Sequence, residues 1–254
     1  MKNNCVLITG ASSGFGEACA RRYAEAGARL ILVARNLSKL QTIQSEHSKH
    51  KIQVIALDLC DANAIDALID QLEPEFKSID ILINNAGLAL GLDPAWEADI
   101  DEWDTMLDTN CRGLMRMTRR ILPGMVERNH GHIVNIGSTA GNWPYAGGNV
   151  YGATKAFVQQ FSRNLRSDLL GKSIRVSNIE PGMSETNFSN VRFNGDNARA
   201  ESVYDNVQAL SPEDIAETIF WTTSLPAHIN INTMELMPTC QAWSPLSVNR
   251  EMKQ

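Results

Sequence analysis

The chain has 254 residues, of which 43 % are hydrophobic and 20 % charged, with 23 basic against 29 acidic side chains and a net charge of −6. That length can bury a full core without covalent staples, and the apolar content excludes a disordered chain. The acidic balance excludes a sequence-independent nucleic-acid binder, which needs a basic face.

Residues 5–9 form a short apolar run suited to a buried strand. A glycine-rich turn leads from it into a helix over about 15–26, closed by Gly27. Strands are expected at 29–33, 52–57, 79–83, 132–136, 174–179 and 233–237. Helices are expected at 37–49, 62–72, 101–128 (with Pro123 as a possible kink), 150–170 and 212–224. Strands and helices alternate from end to end. The pattern predicts an α/β fold: one Rossmann-like, doubly wound parallel sheet with helices on both faces, a single domain over 1–254. The least regular stretch, 183–206, is expected to be a substrate loop.

Five cysteines, Cys5, Cys19, Cys60, Cys111 and Cys240, offer an odd count and no C-x-x-C spacing. This argues against disulfides and a thiolate zinc site, and predicts reduced, mostly buried thiols in a cytoplasmic protein. No run approaches 18 apolar residues, so no membrane span is expected, and the first apolar run is too short for a signal segment. His130-x-His132 could be read as a metal pair, but no acidic or thiolate partner for it is obvious in the sequence, so no metal is expected.

The first turn reads Thr9-Gly10-Ala11-Ser12-Ser13-Gly14-Phe15-Gly16 between strand and helix, the context of a dinucleotide site. Gly10 would permit a tight turn, Gly14 a close backbone approach to pyrophosphate, and Gly16 close helix packing; the helix N-terminus would face the phosphates. The second strand ends Ala34-Arg35-Asn36, with no acid for a free ribose. Arg35 there suits a 2′-phosphate, favouring NADP over NAD, although it could also be a surface charge that starts the next helix. Asp58-Leu59 and Asn84-Asn85-Ala86-Gly87 fall at strand ends where ligands bind in open α/β sheets. Asp58 could accept from an adenine amino group, or cap a helix as could Asp61.

Tyr151 and Lys155 are four residues apart, hence one turn apart on one helix face. An ammonium beside a phenol lowers its pKa and suits it to proton transfer. Ser138 ends the fifth strand with a hydroxyl for a substrate oxygen, and the amide of Asn110 could orient a water or a backbone carbonyl. These motifs, with Pro181-Gly182 after them, occur in the order found in the classical short-chain dehydrogenases/reductases, which the chain resembles over essentially its full length. The resemblance implies a catalytic tetrad of Asn110, Ser138, Tyr151 and Lys155. It also implies a cofactor site with Lys155 on the nicotinamide ribose and Thr186, Ser184 and neighbours over the carboxamide, and a homotetramer.

The stretches 130–132, 137–141, 143–151 and 230–233 resemble the NADP-dependent 3-hydroxy acid dehydrogenases, a group that grades into serine or allo-threonine dehydrogenases, malonic semialdehyde reductases and sulfoacetaldehyde reductases. This second resemblance implies an NADP(H)-dependent reductase of a short anionic aldehyde, or the reverse reaction on serine, allo-threonine or 3-hydroxyisobutyrate. A non-catalytic NADP sensor is the alternative from another class, but such a protein would be expected to lack the Tyr or Lys. An extended-type epimerase would need a larger C-terminal domain than the chain after Gly182 allows. Arg192, Asn142 and Asn187 are the candidates to meet the anion, with Trp143, Pro144 and the substrate-site candidate Tyr145 as pocket walls or purely structural residues. The Asn- and Ser-rich loop tips the expectation toward a sulfonate, which calls for several separate donors, over a carboxylate, which one bidentate Arg would serve.

Overall fold

In the computed structural model, the described residues are 1–243 except 187, 194, 197, 199–202, 205 and 206. Seven short runs become strands: β1 Cys5–Thr9, β2 Arg29–Ala34, β3 Ile52–Ala56, β4 Ile81–Asn84, β5 Gly131–Ile136, β6 Ile174–Pro181 and β7 Thr233–Leu236. They form one parallel sheet in the order β3-β2-β1-β4-β5-β6-β7. The helices are α1 Gly14–Glu25, α2 Leu37–Glu46, α3 Ala62–Asp66, α4 Ile100–Leu107, α5 Leu114–Arg128, α6 Asn149–Asp168, α7 Phe188–Arg192 and α8 Pro212–Ser224.

The two faces of the sheet obey strand parity. Val6 and Ile8 of β1 pack with Tyr23 of α1 and Ile215 and Ile219 of α8. Cys5 and Leu7 pack on the other face with Met117 and Ile121 of α5 and Leu165 of α6. Successive Cβ atoms of a strand point to opposite faces, so a sheet covered on both sides needs continuous apolar strands, as β1 shows. α1 and α8 are pinned by Tyr23, whose hydroxyl lies 2.5 Å from that of Thr223 and whose ring meets Phe220 edge-on. α8 opens on Pro212 behind a capping box between Ser211 and Asp214.

β1 has β2 on one side and β4 on the other. The strand order reverses there, which opens a crevice at the carboxyl ends of the strands. Among the described residues no helix is long and apolar enough to cross a membrane.

Three expectations change. The 101–128 pattern is not one helix: α4 and α5 flank a π-helical turn, Asp108–Gly113, while α5 continues through Pro123. One inserted residue leaves the apolar rhythm nearly intact, so periodicity does not register it. The 62–72 helix shortens to α3 and passes into a 3-10 turn at Leu68–Gln71. The thiols are all free, but only Cys5 and Cys19 are fully buried, while Cys60 and Cys240 are exposed. Burial pushes the Cys19 thiol up to about 12.

Candidate active site

A cleft of about 650 Å³ runs along the carboxyl ends of the strands, from Arg35 to Trp243. At one end the β1–α1 turn is built on backbone freedom and lack of side chain. Gly10 and Gly14 have φ of +65° and +53°. A Cβ on Gly16 would lie 2.3 Å from the Gly10 carbonyl oxygen and 2.5 Å from Asn85 Nδ2. The segment after β4 ties this turn down: Thr9 Oγ1 accepts from the amides of Asn85 and Ala86 at 3.0 Å, and Asn85 Nδ2 donates to the carbonyls of Thr9 and Gly10. Thr9 and Gly16 therefore shape the turn from behind the wall; Gly10, Ser12, Ser13, Gly14 and Phe15 line it.

Ser13 stands at the N-cap of α1, and its side chain makes no capping bond. The first amides of a twelve-residue helix thus meet the cleft without a side-chain acceptor, which suits phosphate oxygens. Gly14 faces Thr186 across the cleft, its Cβ position 3.5 Å from the threonine. Arg35 is exposed on the wall beside Asn36, and it makes no ion pair among the described residues. Asn36 caps α2 by accepting from the Lys39 amide. Asp58 and Leu59 line the cleft; the cap of α3 is Asp61, while Asp58 accepts from the Cys60 amide. These features fit a dinucleotide with an extra phosphate.

In the middle of the cleft stand Ser138, Tyr151 and Lys155. The tyrosine and lysine are buried on α6, and the lysine Nζ donates to the Ile136 carbonyl at 2.8 Å. Nζ lies 5.8 Å from the centre of the Tyr151 ring. Ser138 Oγ accepts from the Ala140 amide and donates to the Pro181 carbonyl at 3.5 Å. The helical spacing predicts a phenol lowered by the ammonium; instead burial pushes Tyr151 up to about 12, against the opposing pulls of Ser138 and Arg192. Burial brings Lys155 down to about 8. Desolvation outweighs the neighbouring charges for both groups.

Asn110, in the π turn, sits outside the lining. Its Nδ2 donates to Leu88 O and Thr154 Oγ1, and its Oδ1 accepts from Leu88 N. Both amide hydrogens go to protein acceptors, one of them the Leu88 backbone carbonyl, so the side chain pins the loop after β4.

At the far end, Pro181, Gly182, Ser184, Thr186, Tyr145 and Arg192 line the cleft. Arg192 ends α7, with Nη2 donating to the Tyr145 hydroxyl at 2.8 Å and Nε to Gly91 O. Its guanidinium carbon lies 5.7 Å from the centre of the Tyr151 ring. Asn142 is a correction: it does not line the cleft. Its Nδ2 donates to Glu180 and Glu235, and its Oδ1 accepts from Gln159. An amide saturated by two carboxylates has nothing left for an anion. Pro144 is likewise off the wall, whereas Trp143 is on it. Asn187 lies outside the described residues.

Sequence reasoning missed Gln241 and Trp243, which line the cleft from beyond β7. Gln241 Oε1 accepts from the Met183 amide at 2.7 Å. Nothing local in the sequence marks them; only the addition of β7 beside β6 brings them here. His130 and His132 part company: His132 is buried against Ser177, and His130 is exposed near Asp80. Among the described residues no group of three or more His, Cys, Asp or Glu is placed to hold a metal.

A model of the short chain dehydrogenase family matches residues 4–197. The chain is 55 % identical over 247 residues to the NADP-dependent 3-hydroxy acid dehydrogenase YdfG of Escherichia coli O6:H1, covering 97 % of this chain and 99 % of that protein. It is 49 % identical to sulfoacetaldehyde reductase 2 of Chromohalobacter salexigens over 98 % of this chain and 100 % of that one. It is also similar to the closed form of serine dehydrogenase complexed with NADP+, with a TM-score of 0.94 at 54 % identity, covering 97 % of this chain and 99 % of the other.

Proposed function

The chain belongs to the short chain dehydrogenase family and is an NADP(H)-dependent oxidoreductase, and on that premise we propose that it interconverts short 3-hydroxy acids and the corresponding carbonyl acids, with malonic semialdehyde among the latter. The observation that carries this reading is the Arg192 guanidinium held 5.7 Å from the Tyr151 ring, which sets a single planar cation beside the proton-transfer group. A guanidinium fork matches a carboxylate bidentately, and a buried anion must be paired. A sulfonate would call for several separate donors. Asn142 supplies none, so the balance moves to the carboxylate. Sulfoacetaldehyde is the second reading, supported by the likeness to the Chromohalobacter reductase.

NADPH supplies the hydride when bound. The uncapped start of α1 and the Gly14 backbone would hold its pyrophosphate, Arg35 its 2′-phosphate, and Asp58 with Leu59 its adenine. Ala86 and Gly87 would flank the cofactor from the β4 side, and Ser184 and Thr186 from the other. Ser138 hydrogen-bonds the substrate oxygen, and Tyr151 gives that oxygen its proton in reduction or takes it in oxidation. Lys155 stabilises the phenolate left behind, and Asn110 acts by fixing the Leu88 backbone. Tyr145 orients Arg192, and Met183, Thr186 and Phe188, described lining residues that follow β6, would cover the substrate. The unpaired cysteines support a cytoplasmic setting. Exposed Leu107, Met115 and Phe157 on α4 to α6 support burial in a homotetramer.

The test is a panel of initial rates with NADPH on malonic semialdehyde, sulfoacetaldehyde and an uncharged aldehyde of equal length, and with NADP+ on serine and 3-hydroxyisobutyrate. The carboxylates should lead. A neutral aldehyde reduced best would remove the anion site, and sulfoacetaldehyde leading tenfold, about 1.4 kcal/mol, would replace the carboxylate with the sulfonate.

Arg35→Ala should weaken NADPH binding roughly tenfold, the low end for a charge-assisted hydrogen bond because the side chain is exposed. NADH binding should stay as it is. Titration of both cofactors by fluorescence checks this, and equal losses would make Arg35 structural.

A further inference from the structure

β6 and β7 set two carboxylates side by side: Glu180 pairs in register with Glu235. Glu180 is 2 % exposed and fully engaged, accepting from Gln159 and Asn178 on Oε1 and from Asn142 on Oε2. Glu235 differs. Its Oε2 accepts from Asn142 Nδ2 at 3.1 Å and from the Trp143 indole N–H at 2.9 Å, and its Oε1 accepts from the Trp243 indole N–H at 3.1 Å. One carboxylate therefore grips two indoles that lie far apart in the chain. Their ring centres are 5.7 Å apart, and both line the cleft.

The position of these rings gives the grip a consequence. Trp143 lies shortly after Ser138 and just before Tyr145, the partner of Arg192. The pair thus walls the substrate end. Trp143 is 42 % and Trp243 59 % exposed, so core packing does not fix either ring. What fixes them is the shared acceptor, which converts two exposed side chains into one wall.

We infer that Glu235 is a specificity-determining, positioning residue: it holds the Trp143 and Trp243 indoles as the outer wall of the substrate end and so restricts the enzyme to short chains. This rests on the proposed placement of substrate beside Tyr151 and Arg192. Glu235 touches no reacting atom. Its effect should appear as a change in which chain lengths are accepted, not as a uniform loss of rate.

The test compares kcat/KM for straight-chain 3-hydroxy acids of four, five and six carbons in wild type, Glu235→Ala and Trp243→Phe, the last keeping a smaller aromatic ring without the indole N–H. The six-carbon to four-carbon ratio should rise about tenfold in Glu235→Ala, the scale on which one pocket wall discriminates methylenes, and less in Trp243→Phe. Tryptophan emission should shift to longer wavelength in Glu235→Ala, while the NADPH dissociation constant stays at the wild-type value. The double variant Glu235→Ala/Trp243→Ala should shift the ratio no further than Glu235→Ala alone, because both changes remove one wall. Unchanged ratios, equal losses at every length, or effects that simply add would overturn the proposal. If Glu235→Ala does not fold, Trp243→Phe and Trp243→Ala carry the same comparison on an exposed side chain. If wild type oxidises no 3-hydroxy acid, the substrate reading has failed. The wall is then read with straight-chain aldehydes and NADPH, where the same ratio shift is expected.

Discussion

Tyr151→Phe is expected to lower kcat for carbonyl reduction by about 10²–10⁴-fold, the loss caused by removal of a positioned general acid, and to leave NADPH affinity unchanged. Only the hydroxyl goes. The ring keeps its place against Phe188, at 5.6 Å between centres, and beside Lys155. The pH dependence is set by the two buried groups. Burial pushes the Tyr151 phenol up to about 12, so at neutral pH it is protonated and ready to donate. Burial brings Lys155 down to about 8, so its ammonium is present below that pH and lost above it. Reduction leaves a phenolate that the ammonium stabilises. Its rate should therefore be flat at lower pH and fall as pH rises through about 8. Oxidation needs the phenolate at the start, so its rate should rise with pH until loss of the ammonium opposes the gain. Profiles of kcat in both directions check the signs. A Tyr151→Phe enzyme with near-normal kcat would remove the tyrosine from its assigned role.

How much of the fold and the site is legible in the sequence depends on whether the information is local. The strands are readable because a parallel sheet covered on both faces demands unbroken apolar runs, and Cys5–Thr9 is such a run. Gly10, Gly14 and Gly16 are readable because few functions need three glycines between a strand and a helix. Tyr151 and Lys155 are readable because helical spacing fixes which side chains share a face. The π turn around Asn110 is not, since one extra residue barely moves the apolar stripe. The direction of the tyrosine shift escapes for another reason. The spacing shows the neighbouring charge but not the depth of burial, and burial is the larger influence. Asn142 is misplaced by sequence because its position near Ser138 says nothing of Glu180 and Glu235, which claim its amide from strands far along the chain. Gln241 and Trp243 become visible only once β7 has joined the sheet.

Gly16→Ala separates the two uses of glycine in the β1–α1 turn. Gly14 has φ +53°, a conformation that costs a side-chain-bearing residue about 1–2 kcal/mol, yet its Cβ would meet only Thr186 at ordinary contact distance. Gly16 has no positive φ; what it lacks is room. An alanine methyl there would stand 2.3 Å from the Gly10 carbonyl oxygen and 2.5 Å from Asn85 Nδ2. The first of these is backbone and cannot rotate away. α1 must retreat, and Asn85 must give up its bonds to Thr9 and Gly10 carbonyls. Overpacking of this kind costs about 1–3 kcal/mol, and a chain of this size loses roughly 2–4 °C of Tm for each. The same retreat withdraws the helix amides from the phosphates. Loss of two charge-assisted hydrogen bonds is worth about 1.5–3 kcal/mol each, so the NADPH dissociation constant should rise at least about a hundredfold. Gly14→Ala should also weaken NADPH, because its methyl narrows the gap to Thr186, but with a smaller fall in Tm. Thermal unfolding without nucleotide, together with NADPH titration, distinguishes the two variants. If Gly16→Ala kept the wild-type Tm and NADPH affinity, close packing of α1 against the turn would not be what builds the phosphate cradle.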